Sequence, residues 1–147
     1  MKRAILALLV MGFCGSLFGQ SAPAKAPPVG LKGYDPVSYF NPGKATLGAS
    51  KISFDFDETR YLFASAKNKE LFAANPDRYT PQFSGLCATG LSMGAKAEAD
   101  PKVFKVIDGK LYVFSSAEAL GMAEKDPTLL KKSHEAWARE HKAPGQK

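Results

Sequence analysis

Residues 103–114 read VFKVIDGKLYVF. Val103, Lys105 and Ile107 alternate with Phe104, Val106 and Asp108, which is the period of a strand. Leu111, Tyr112, Val113 and Phe114 make a second apolar run just past Asp108-Gly109. Asp-Gly between two such runs predicts a tight β-hairpin, because both central residues of the favoured two-residue turn need positive φ.

Upstream, residues 51–57 alternate in the same way, with Ile52, Phe54 and Phe56 on one face and Ser53, Asp55 and Asp57 on the other. Glu58, Thr59 and Arg60 turn the chain, and Tyr61, Leu62 and Phe63 give a partner strand, so residues 51–64 form a second hairpin. Ser65 is placed to cap a helix over 66–74, in which Leu71 and Phe72 are the apolar contacts and Asn75-Pro76 the stop. Downstream, Ser116 caps a short helix to Lys125. Asp126-Pro127 then pairs an N-cap with a proline in the first turn and opens a final helix through His141. On that helix Leu130, His134, Trp137 and His141 form one stripe. Between the hairpins, Gly85, Gly90 and Gly94 punctuate small residues around Leu86, Cys87, Ala88, Leu91 and Met93, with a short helix expected over 86–92. The expected fold is α+β: two hairpins forming a small antiparallel sheet, packed against several short helices and a longer C-terminal one.

The chain has 147 residues, of which 45% are hydrophobic, 23% charged and 11% aromatic. That composition describes one globular domain and excludes a repeat array, a collagen, a wholly disordered chain and any large barrel or dinucleotide-binding enzyme. Lys2 and Arg3 precede a ten-residue apolar run, AILALLVMGF, too short to span a bilayer as a helix, so residues 1–21 read as a signal peptide. The expected location is periplasmic or secreted, with no stable membrane insertion after cleavage. Residues 22–30 are Pro-rich and read as a tether, residues 31–141 as the domain and residues 142–147 as a flexible tail. Cleavage lowers 20 bases to 18 against 14 acids, leaving a net charge of +4. The bases are spread among acids without a basic run, so a nucleic-acid partner is not expected. Cys14 leaves with the signal. Cys87 therefore has no internal disulfide partner and is either buried and inert, bound to something, or reactive.

Three segments carry a resemblance: LKGYDPVSYF at 31–40, RYLFASAKNKELFAANPDRYTPQFSGLCATG at 60–90 and DPKVFKVIDGKLYVF at 100–114. Together they resemble the exported bacterial YHS domain proteins, in the order of GYDPVSYF, the F-x-x-N-P-x-x-Y motif from Phe72 to Tyr79, PQF-x-G-x-CA and DGKLY. The resemblance implies a small α+β module, and metal binding in those relatives that carry a cysteine pair near the second strand. This chain has Ala64 and Lys69 in that neighbourhood, and a thiolate site cannot be built from alanine and lysine. His134 stands where the family commonly has an acid, three residues before the Trp.

Cys87 and His134, with a thioether from Met93 or Met122, would make a soft donor set suited to a copper ion in its Cu(I) state. Against that, Cys87 alone can serve as a small hydrophobe in a crowded turn. His134 and His141 share a helix face but stand about 10.5 Å apart along the axis, so one ion cannot bridge them. Tyr34, Asp35 and Tyr39 could line a ligand pocket beside the Cys87 turn. Equally, Asp35-Pro36 can cap a helical turn with Tyr39 and Phe40 in the core. A nucleophile elbow, a phosphate loop, a metalloprotease helix and a Cys-x-x-Cys pair are all missing, so catalysis is not expected. The expected function is non-catalytic binding of a soft metal ion or small ligand near Cys87. The alternatives are a metal-free protein-interaction module, or a thiol-redox protein forming mixed disulfides with a partner protein.

Overall fold

A computed structural model describes residues 25–142; the expected signal peptide, the start of the tether and most of the tail lie outside the described residues. The fold is α+β. Strands β1 (Ala49–Phe56) and β2 (Thr59–Phe63) form one antiparallel hairpin, followed by α1 (Ala66–Ala74) and the single turn α2 (Pro76–Tyr79). The short helix α3 (Ala88–Ser92) leads to a second antiparallel hairpin, β3 (Asp100–Ile107) and β4 (Lys110–Phe114), then α4 (Ala117–Lys125) and α5 (Thr128–Glu140).

Local signals act as their chemistry dictates. Ser65 Oγ accepts the Asn68 N–H and Ser116 Oγ accepts the Ala119 N–H, so each hydroxyl satisfies an orphan donor in the first turn of its helix. Asp108 (φ 50°) and Gly109 (φ 73°) both adopt the left-handed conformation of the tight hairpin turn. Asp126 Oδ1 accepts the Thr128 N–H at 3.0 Å, so the acid caps α5 while Pro127 (φ −60°, ψ −14°) is already helical. The short central helix starts at Ala88, two residues later than its composition suggested.

The hairpins do not join into the single sheet expected from sequence but remain two separate two-stranded sheets. One edge of each hairpin is met by an earlier stretch of chain. Val29 bridges to Arg60 of β2, while Pro81 and Cys87 bridge to Leu111 and Val113 of β4, all in parallel sense. The segment leading into each hairpin thus runs along the outer edge of its second strand.

Nor is the chain free of repeats, as its composition implied: it holds two copies of one unit. Ala49 and Asp100, Thr59 and Lys110, and Ala66 and Ala117, which open the equivalent strands and helices, are each 51 residues apart. The register repeats with its irregularity: Ala49↔Phe63 then Ser53↔Leu62 in the first hairpin, Asp100↔Phe114 then Phe104↔Val113 in the second. Asp35 N–H donates to the Thr46 carbonyl at 2.8 Å, as Cys87 N–H does to Ala97 at 2.9 Å. Tyr61, Phe63, Ser65, Ala66 and Pro76 recur as Tyr112, Phe114, Ser116, Ala117 and Pro127.

Each unit begins with a left-handed turn. Leu31 (φ 49°) and Lys32 (φ 48°) precede Gly33 (φ 89°), and Phe83 (φ 58°) and Ser84 (φ 51°) precede Gly85 (φ 80°). Side chains in this conformation cost roughly 1–2 kcal/mol each. Burial of Leu31 and Phe83 offsets part of that cost, since enclosing a large apolar side chain is worth about 1.5–3 kcal/mol.

The first unit is packed around Phe72, which is fully buried. Its ring lies 5.0–6.5 Å, centroid to centroid, from Phe54, Phe56, Tyr61, Phe63 and Tyr79. The second unit centres on Phe114, Tyr112, Phe83 and Leu91, with α4 and α5 laid over them. A third cluster joins the halves: Leu31 and Tyr39 pack on Leu111, Val113 and Ala99, and the Tyr39 hydroxyl donates to the Pro101 carbonyl at 2.8 Å.

Phe72→Ala should cost about 3–5 kcal/mol in urea-induced unfolding, the range for removing a buried ring from a close-packed site. In the first hairpin turn Asp57 (φ 46°) and Glu58 (φ 57°) take the left-handed conformation, with Glu58 where the second turn has Gly109. Relieving that strain by Glu58→Gly should raise stability by up to about 1 kcal/mol in the same assay.

Candidate functional site

Cys87 lies two residues past the second left-handed turn and is the N-cap residue of α3, where its Sγ accepts the Gly90 N–H at 3.4 Å. Only 1% of the residue is exposed, among Phe83, Ala88, Leu91, Tyr112 and Phe114. Two hydroxyls fix the helix beneath it. Thr89 donates to the Ala119 carbonyl of α4 at 2.7 Å, and Ser133 of α5 donates to the Ala88 carbonyl at 2.6 Å.

Asp35 occupies the corresponding place in the first unit, after Gly33 as Cys87 follows Gly85 by two residues. It is fully buried and fully used. Oδ1 accepts the Val37 N–H at 2.8 Å; Oδ2 accepts the Ala64 N–H at 2.8 Å and the Asn68 side-chain amide at 2.7 Å. Asp35 therefore caps the turn after Pro36 and ties it to the start of α1. Tyr39, also buried, spends its hydroxyl on Pro101 and packs edge-on against Phe104, 4.6 Å between centroids. Burial pushes its phenol pKa upward, which keeps the donor proton in place. Tyr34 is half-buried on the cluster that joins the halves and bridges to Leu47. The structure thus brings Tyr34, Asp35 and Tyr39 together as a scaffold around one turn, with the polar atoms of Asp35 and Tyr39 turned to protein partners.

The three soft donors are not gathered at one point. Met93 ends α3, six residues beyond Cys87 and so about 9 Å further along the axis, and is 58% exposed. His134 faces Phe83 (centroids 4.8 Å apart), and its Nε2 lies 2.9 Å from the Tyr112 hydroxyl. Burial, with the Lys110 charge second, lowers the His134 pKa, while burial and then Asp108 raise that of Tyr112. Both shifts assign the donor role to the phenol and the acceptor role to a neutral imidazole. His141 lies exposed at the end of α5, stacked on Trp137 at 3.7 Å. Among the described residues, no group of three or more His, Cys, Asp or Glu side chains is placed to hold a metal ion.

The two left-handed turns do enclose something between them. A cleft of about 350 Å³ opens beside the Gly85 turn, walled by Leu31 and Lys32 from one unit and Ser84, Gly85 and Val113 from the other. Lys32 and Glu98 form an exposed ion pair at its edge, 3.4 Å apart. The cleft depends on the repeat, which the sequence reading did not anticipate. The pairing of Tyr112 with His134 was missed for a related reason: the two residues lie 22 positions apart and only the packing of α5 joins them.

No family model, no curated protein and no solved structure matches this chain.

The Tyr112–His134 pair sets a pH dependence. A histidine whose pKa is lowered by folding takes up a proton more readily when unfolded, so its contribution is complete above its ordinary value of about 6.5 and is lost as pH falls below it. The urea midpoint of the native protein should therefore drop between pH 7.5 and pH 5.5, and His134→Gln should show a smaller drop over the same interval.

Proposed function

We propose that residues 31–141 form an exported, non-catalytic module of the YHS type that works by metal-free interaction with a partner, with Cys87 as a structural thiol. The observation that carries this reading is the shared role of Cys87 and Asp35. Both follow a left-handed turn, both are buried, and both accept the backbone N–H groups that begin the next turn of chain. Sulfur is a weak acceptor, but a buried one here completes a cap that a carboxylate completes in the other unit. A thiol with that task, closed off from solvent, lacks the exposure that metal capture or disulfide exchange requires.

In this reading the contact surface is the cleft beside Gly85. Its walls come from both units, so it exists only when the whole domain is folded. The copper reading fits the geometry less well, since Cys87, His134 and Met93 each answer a different local demand.

The thiol of the folded protein should react with an aromatic disulfide reagent at least about 100-fold more slowly than in urea, because reaction must await opening of the core. Wild type and Cys87→Ala, purified without chelator, should hold the same background metal and take up no Cu(I) in an anaerobic titration. Near-stoichiometric metal that disappears in the variant would overturn the reading. So would a fast native thiol that forms a reductant-sensitive adduct.

A further inference from the structure

Aligning the two units residue by residue exposes one difference that changes the shape of the molecule. Phe72, around which the first unit is packed, corresponds to Ala123 in the second, each nine positions beyond the Phe that ends its hairpin, Phe63 and Phe114. The neighbours of the ring are reduced as well. Phe54, Phe56 and Tyr79 correspond to Lys105, Ile107 and Leu130. Neither α4 nor α5 makes up the loss. A half-open pocket of about 230 Å³ remains between the second hairpin and these helices, floored by Phe114 and Ala123 and walled by Ile107, Leu120 and Leu130.

The surroundings of this pocket select a kind of occupant. Its exposed lining is mostly carbon, so water reaching it through the open side finds few hydrogen-bond partners and is displaced at little cost by an apolar group. The equivalent space in the first unit holds a phenyl ring, in contact with the counterparts of the same lining residues. The charges at the mouth, Lys105 and Glu124, are paired with each other and leave no net charge to attract an ion.

We infer that this pocket is a binding site for a small neutral aromatic molecule, a single ring with at most a short substituent, seated where Phe72 sits in the other unit. The inference is independent of the role of Cys87, because the pocket is lined neither by the thiol nor by any residue of the cleft beside Gly85.

Toluene is a suitable probe. Titrated into the folded domain and followed by ¹³C methyl and ¹⁵N amide correlation spectra, it should give saturable shifts centred on Ile107, Leu120, Ala123 and Leu130. Ala123→Phe, which restores the ring in place, should weaken toluene binding at least tenfold. Leu130→Trp serves as a second filling variant should the first not fold. Absence of saturable shifts in the wild type up to the solubility of toluene would overturn the inference. Shifts centred elsewhere, or a folded filling variant that binds as well as wild type, would do the same.

Discussion

A two-stranded hairpin cannot stand alone in water, and this constraint organises the whole molecule. Among the described residues neither hairpin gains a third strand, and the chain entering each unit touches the outer edge of its second strand only through isolated bridges. Each must therefore bury its apolar face under its own helix, with Phe72 as the plug in one unit and α4, α5 and α3 as the cover in the other. The second hairpin is enclosed on both faces, since Leu111 and Val113 meet Leu31 and Tyr39 on the side opposite Tyr112 and Phe114. This explains why all four residues of β4 from Leu111 to Phe114 are buried, whereas in β2 Leu62 stays half-exposed between Tyr61 and Phe63.

The left-handed turns follow from the same demand. A chain that must run along a strand edge and then dive beneath the hairpin has to reverse sharply within a few residues. Three consecutive left-handed residues achieve that reversal, and the buried side chains of Leu31 and Phe83 hold it in place. Asp35 and Cys87, two residues past each reversal, then start the next turn of chain by accepting the N–H groups of Val37 and Gly90. Carboxylate and thiol, so different in chemistry, here answer one geometric need, and that equivalence weighs against reading the cysteine as reactive.

What the sequence made legible was local. Asp108-Gly109, Ser65, Ser116, Asn75-Pro76 and Asp126-Pro127 act through their own backbone neighbours, and each marks a turn, a cap or a boundary in the structure. The left-handed turns were not legible, because Leu31, Lys32, Phe83 and Ser84 have no intrinsic preference for that conformation; only Gly33 and Gly85 hint at it. The repeat was hidden by divergence at the positions that face the helices, where an aromatic set in one unit became aliphatic in the other. Phe-Ala-Ser-Ala at 63–66 against Phe-Ser-Ser-Ala at 114–117 was the available clue. At the site, the types of residue near the Gly85 turn could be read, but not their commitments. Whether a thiol points at solvent or at Gly90 N–H is decided by contacts that join residues far apart in the chain.

The junction between the units has a consequence for synthesis. Leu31 and Tyr39 belong to the first unit by sequence but pack with Ala99, Leu111 and Val113 of the second, where Tyr39 also finds the Pro101 carbonyl. A chain emerging amino end first leaves the Tyr39 hydroxyl without its acceptor until 62 further residues have appeared. The packing of the first unit is therefore complete only once β4, with Leu111 and Val113, has been made.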